Sequence, residues 1–129
     1  MNPLDDRVVA VVREEVGEGK LGCAQAFRIA ERLNATPLMV GRAADALDVR
    51  LARCQLGLFG YGEKKRLVVA AETVAPELEQ AIHEGLVLGR LPCTVAWAIA
   101  SRFHMPKMAV ANAAESLAIP IGQCQLGAF

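Results

Sequence analysis

The chain has 129 residues, with 14 basic and 14 acidic side chains and therefore no formal net charge; 53% of its residues are apolar and 5% aromatic. A neutral chain lacks the strong basic excess of a tight nucleic-acid binder, and an aromatic-poor composition rich in Ala, Val and Leu favours helices packed through small residues over a β-sandwich. No apolar run approaches the roughly 20 residues that span a membrane, and Met1-Asn2-Pro3-Leu4-Asp5-Asp6 lacks the basic start of a signal peptide, so the expected location is the cytoplasm and no membrane partner is expected.

In chain order, Leu4, Val8, Val11 and Val12 recur at helical spacing and predict a helix over about residues 4–16, ended by Gly17 and Gly19. A second helix covers about Cys23–Leu33, with Ala26, Phe27, Ile29, Ala30 and Leu33 inward. Asn34-Ala35 makes a tight turn, because Asn tolerates the left-handed conformation. Thr36-Pro37 then reads as an N-cap followed by Pro at the first helical position, opening a third helix to about Leu47. Asp48–Leu51 is β-like, and Arg66–Val69 is available as its return strand. The loop between them carries Gly57, Gly60 and Gly62 and predicts a hairpin tip, or wing.

A fourth helix is expected from about Val74 to Val87, capped by Thr73, with Leu78, Ala81, Ile82 and Leu86 inward. A fifth covers about Pro92–Phe103, with Ala96, Trp97, Ile99, Ala100 and Phe103 inward. His104-Met105 is the next turn, and a sixth helix opens at Met105-Pro106 with a poorer cap. The β-like piece Ala118–Ile121 contains Pro120, which confines it to an edge.

These elements occur twice. Cys54-Gln55-Leu56-Gly57-Leu58-Phe59 returns 70 residues later as Cys124-Gln125-Leu126-Gly127-Ala128-Phe129, and residues 19–59 match residues 89–129 at 16 of 41 positions. The chain is therefore one supersecondary unit made twice. The expected division is residues 1–70, a first helix-turn-helix module with wing, and 71–129, a second with a truncated wing. Modules of about 60 residues are marginal alone and should share an interface.

Ala30, Asn34 and Val40, and again Ala100, His104 and Val110, have the spacing of two helices crossing through a small residue and locked by a branched one. The pattern resembles the helix-turn-helix, and with the preceding helix and hairpin it resembles the winged-helix family of DNA-binding regulators. The short hairpin and Cys-Gln-Leu-Gly-x-Phe tail are similar to small bacterial proteins like the winged domain of molybdate-responsive repressors, although the chain has no room for an oxyanion-binding domain. The implied fold is mainly α with small β-hairpins, two tandem winged-helix-like modules. The implied function is transcription regulation, with double-stranded DNA as partner and homo-oligomerisation left open.

In that family the third helix enters the major groove. Carried over, Arg42 and its repeat equivalent Asn112 are the candidates for reading bases, and Lys107 lies on the same helix as Asn112. Lys64, Lys65 and Arg66, the chain's only basic run, are placed to hold phosphates. The alternative is a protein-interaction or cysteine-metal-sensing module that keeps the fold without DNA.

Cys23, Cys54, Cys93 and Cys124 form two repeat-related pairs without C-x-x-C spacing. They fit buried apolar filler, with no stoichiometric metal and slow thiols. Alternatively, Cys23 and Cys93 at helix N-termini have lowered pKa values, and the four thiolates converge on one metal or iron–sulfur centre. No cofactor is expected. No catalytic constellation is present, and Gly57-x-x-Gly60-x-Gly62 lacks the capped helix that follows a phosphate loop; an enzyme is not expected.

Overall fold

The structure, a computed structural model, describes residues 5–16, 19–62 and 66–129. It is mainly helical. The first half contains α1 (Asp6–Glu15), β1 (Lys20–Gly22), α2 (Cys23–Arg32), α3 (Pro37–Ala46) and β2 (Arg50–Ala52). The second contains α4 (Pro76–Glu84), β3 (Leu91–Pro92), α5 (Cys93–Arg102), α6 (Lys107–Ser116) and β4 (Ile121–Gly122). Both halves run helix, strand, helix, helix, strand. Among the described residues no helix is long and apolar enough to cross a membrane.

Helix ends follow local chemistry. Asp5 caps α1 by accepting from the Arg7 N–H at 2.9 Å, and Thr36 caps α3 by accepting from the Met39 N–H. The α2–α3 turn is a Schellman closure: Ala35 N–H donates to Ala30 O at 2.8 Å and Asn34 N–H to Glu31 O at 3.2 Å, with Asn34 at φ 53°. The α5–α6 turn repeats it, Met105 N–H to Ala100 O and His104 N–H to Ser101 O. α3 and α6 end the same way, at Asp48 and at Ala118, the latter left-handed without a side chain that favours it.

Several expected elements differ. The hairpin does not form. β2 pairs in parallel with β1, Leu21 opposite Leu51, and β3 pairs in parallel with β4. The cause lies on both sides of β2. β1, the short segment leading into α2, sends Leu21 fully into the core, and Arg53, left-handed at φ 51°, turns the chain away before it can run back along β2. Residues 66–70 carry no strand. α4 begins at Pro76 rather than near Val74, capped by Ala75 rather than Thr73, because the residue before a proline is held extended. Pro92 precedes α5 and joins β3 instead of opening the helix. Pro106, not Met105, occupies the N-cap of α6, where it offers no side-chain bond. Leu4 and Gly17 lie outside the described residues.

The halves are joined by exchange. After β2 and β4 each tail closes on itself, Cys54 N–H to Phe59 O at 3.2 Å and Cys124 N–H to Phe129 O at 3.1 Å. Each tail then packs into the other half. Leu56, fully buried, sits with Leu78, Ile82, Leu91 and Val110 of the second core. Leu126, 2% exposed, sits with Val8, Leu21, Ile29 and Val40 of the first. Repeat-equivalent residues also meet one another: Phe27 and Trp97 at 4.5 Å between ring centroids, Phe59 and Phe129 edge to face at 6.2 Å. Contacts that are mutual in this way mark a local two-fold relation. Burying a leucine contributes about 2 kcal/mol, so the exchange supplies each marginal core with a large side chain it lacks.

Candidate functional site

The third helices of the two halves are α3 and α6; the tail of the opposite half packs on each, and α6 is also covered by residues 66–71. Gly41 of α3 lies against the Leu126 carbonyl, and Leu38 against Gly127. On α6, Ala111 is buried and Met108 lies against Gly57. Asn112 is engaged within the chain: its Oδ1 accepts from the Val69 N–H at 2.9 Å and its carbonyl from the Ala71 N–H at 3.0 Å. Arg66 pairs with Glu115 at 3.1 Å. Lys107 is half-buried with its ammonium 4.6 Å from the Trp97 ring centroid. Arg42 is exposed. Lys64 and Lys65 lie outside the described residues. Of the residues expected to meet DNA, the structure therefore gathers Arg66 and Asn112 on α6, bound to other parts of the molecule, and leaves Arg42 facing solvent on α3.

A different set of cations converges on a concavity of the first half. Lys20 of β1, Arg28 of α2 and Arg53 after β2 line a groove of about 750 Å³ together with Gln25 and Tyr61. No acidic side chain lines it among the described residues. Gly22 and Ala24, the N-cap and first turn of α2, form part of its wall, and Gly22 offers no side-chain cap. Free N–H groups at a helix start carry partial positive charge, so backbone and side chains have the same sign here.

The fourth wall is the Gly60–Gly62 segment. Gly60 is left-handed, and a Cβ there would sit 2.5 Å from Arg53 N. Its carbonyl accepts from the Arg53 N–H at 3.2 Å, and the Tyr61 hydroxyl donates to the Cys54 carbonyl. A glycine loop facing a helix N-terminus is the arrangement that cradles phosphate. The helix is α2, upstream in the chain, rather than one that follows the loop; a search for a following helix misses it. Two of the three cations were legible as differences between the copies, Arg28 aligning with Ala98 and Arg53 with Gln123, whereas Lys20 aligns with Arg90 and carries no such signal.

The four cysteines lie near the join between the halves. Gln55 donates to Cys23 Sγ and Gln125 to Cys93 Sγ, each at 3.6 Å. Cys23, Cys54 and Cys93 are buried and Cys124 is half-buried. The expected lowering of the helix-start thiols is reversed. Burial pushes Cys93 up to about 11 and Cys23 upward, against the partial relief of their glutamine bonds. Among the described residues no three His, Cys, Asp or Glu side chains come together as a metal site. In comparisons with known proteins, no family model, no curated protein and no solved structure matches this chain.

Proposed function

We propose that this chain is a non-enzymatic cytoplasmic DNA-binding module, two helix-turn-helix-like units in tandem, that grips the phosphate backbone of duplex DNA through the basic groove of its first half. The observation that supports the reading is the groove itself: three cations and an uncapped helix start around one concavity, without an acid among the described residues. Phosphate contacts of this kind position a protein without specifying sequence. Regulation of transcription would need base readout as well, for which Arg42 is the exposed candidate.

The test is a titration of labelled duplex DNA at two salt concentrations. Three phosphate contacts give a slope of about −3 in log affinity against log salt, at about −0.9 per contact. The Arg28→Ala/Arg53→Ala double variant should lower that slope by about two and weaken binding to all sequences alike. Arg42→Ala should act only on a preferred sequence, by about 1–3 kcal/mol. Absence of binding tighter than millimolar at low salt would defeat the reading. A second reading, a protein-interaction module without DNA, is favoured by the covered face of α6, where Asn112 and Glu115 hold residues 66–71.

A further inference from the structure

The two-fold relation leaves one groove filled and its counterpart open. On α6, residues 66–71 of the chain lie extended over the tail and the helix. Arg66 pairs with Glu115, Leu67 N–H donates to Gly57 O at 2.7 Å, and Val69 N–H donates to Asn112 Oδ1. What remains beside this segment is a recess of about 250 Å³ lined by Leu58, Ile119 and Ile121. The equivalent groove on α3, lined by Asp45, Val49, Leu51, Phe59 and Phe129, measures about 510 Å³. Its exposure matches its emptiness: Gly127 is exposed where Gly57 is buried, Arg42 is exposed where Asn112 is half-buried, and Phe129 is 47% exposed.

We infer that the α3 groove docks an extended segment of a protein partner with the pattern basic–apolar–apolar–acidic. The filled groove defines the template, and the substitutions between copies edit it. Asp45 replaces Glu115, so the first position is again basic. Gly127 carries the carbonyl that corresponds to the acceptor for Leu67. Val49, Leu51 and Phe129 offer apolar wall for the two middle positions. The fourth position changes sign of demand. Asn112 accepts a backbone N–H there, whereas its exposed equivalent Arg42, beside the groove on the same helix as Asp45, can only donate. Asp48 and Arg50 also line the groove and offset one another in charge, which leaves Asp45 as the acid that corresponds to Glu115. A second copy of this chain fits less well, because its own segment reads Arg66-Leu67-Val68-Val69 and presents valine to Arg42. This inference gives the partner chemistry for the interaction reading and does not use the basic groove.

The experiment is fluorescence anisotropy with labelled, end-capped hexapeptides: Arg-Leu-Val-Glu-Ala-Ala, its charge-reversed form Glu-Leu-Val-Arg-Ala-Ala, and Arg-Leu-Val-Val-Ala-Ala. The first should bind about tenfold tighter than the second and several-fold tighter than the third. Complementary potentials set register and like charges oppose docking, so the double variant Arg42→Glu/Asp45→Arg should invert the first preference. Both residues are exposed, so that variant should keep the parent's denaturation midpoint. The Arg28→Ala/Arg53→Ala variant should bind the peptides as wild type does, which separates this result from the fate of the DNA reading. Equal binding of all three peptides, or none at millimolar peptide, overturns the inference. So does concentration-dependent self-association abolished by Asp45→Lys, which would assign the groove to a second copy.

Discussion

The two halves bury each other's tails in the same way but present different surfaces. At the join, equivalent positions carry equivalent side chains: Leu56 and Leu126, Gln55 and Gln125, Cys23 and Cys93. Away from it they part. The first half carries Arg28, Arg42 and Arg53 where the second has Ala98, Asn112 and Gln123, and the second half's third helix is covered by residues 66–71 while the first half's is not. A duplicated unit that is held by mutual exchange must keep the positions that make the exchange. The remaining positions are free to differ, and the differences fall on the basic groove and on the open α3 face.

The largest effect expected is on the exchange itself. Truncating Leu56 or Leu126 removes a fully buried side chain from a core that cannot refill it, at about 2–5 kcal/mol. Because the tails are swapped, the damage should appear in the other half. Leu56→Ala should lower hydrogen-exchange protection in α4, α5 and α6, and Leu126→Ala in α1, α2 and α3. Trp97, the single tryptophan, packs on Phe27 across the join, so its fluorescence should report either change. Loss of protection confined to the half that bears the mutation would break the exchange model.

The cysteines sharpen the comparison at a smaller scale. With Cys93 raised by burial to about 11, its thiolate at pH 8 is about a hundredfold scarcer than that of an unperturbed thiol. Cys124, half-buried in its tail, should react first with a thiol reagent and Cys93 last. A folded-state pKa above the unfolded one favours the fold while the thiol is neutral. Stability from this group is thus fully present below about pH 9 and is lost as pH rises through about 11. Labelling kinetics followed by peptide mass mapping would check the order; Cys93 reacting as fast as Cys124 would contradict it.

Much of this was legible in the sequence, for reasons that can be located. Helices α2 and α3 and the turn between them follow from the 3.6-residue pattern, from Thr36-Pro37 and from Asn34, all local signals. The repeat announced two equivalent units. What local pattern does not contain is pairing partner and direction. Arg50–Ala52 reads as a strand from either side, and nothing near it says that Lys20–Gly22, across two helices, is its neighbour. The exchange was hidden for the same reason: Leu56 and Leu126 read as core residues, but their spacing does not say whose core. Asn112 and Arg66 had the residue types that meet DNA, and equally the types that fasten a linker to a helix. Lys20, Arg28 and Arg53 are scattered in the chain and meet only in the fold.

The smallest effect tests how closely the two tails are held. At position 41 a Cβ would stand 1.8 Å from the Leu126 carbonyl oxygen, whereas the equivalent position on α6 is Ala111, buried at 1% exposure. The same contact is therefore closer on α3 than an alanine permits. Gly41→Ala would gain about 1 kcal/mol of helix propensity and lose about 1–3 kcal/mol to overpacking. The clashing atom is backbone, which cannot swing aside like the end of a long side chain, so the loss should win by about 1 kcal/mol. The displaced tail should also expose Cys124 and speed its labelling. Ala111→Gly should cost a similar amount for the opposite reason, through backbone entropy, and should leave the reactivity of Cys54 unchanged. Two variants of nearly equal stability would then differ in one observable, the freedom of a tail. If Gly41→Ala instead stabilises the chain while Cys124 keeps its wild-type rate, the tail of the second half does not press on α3.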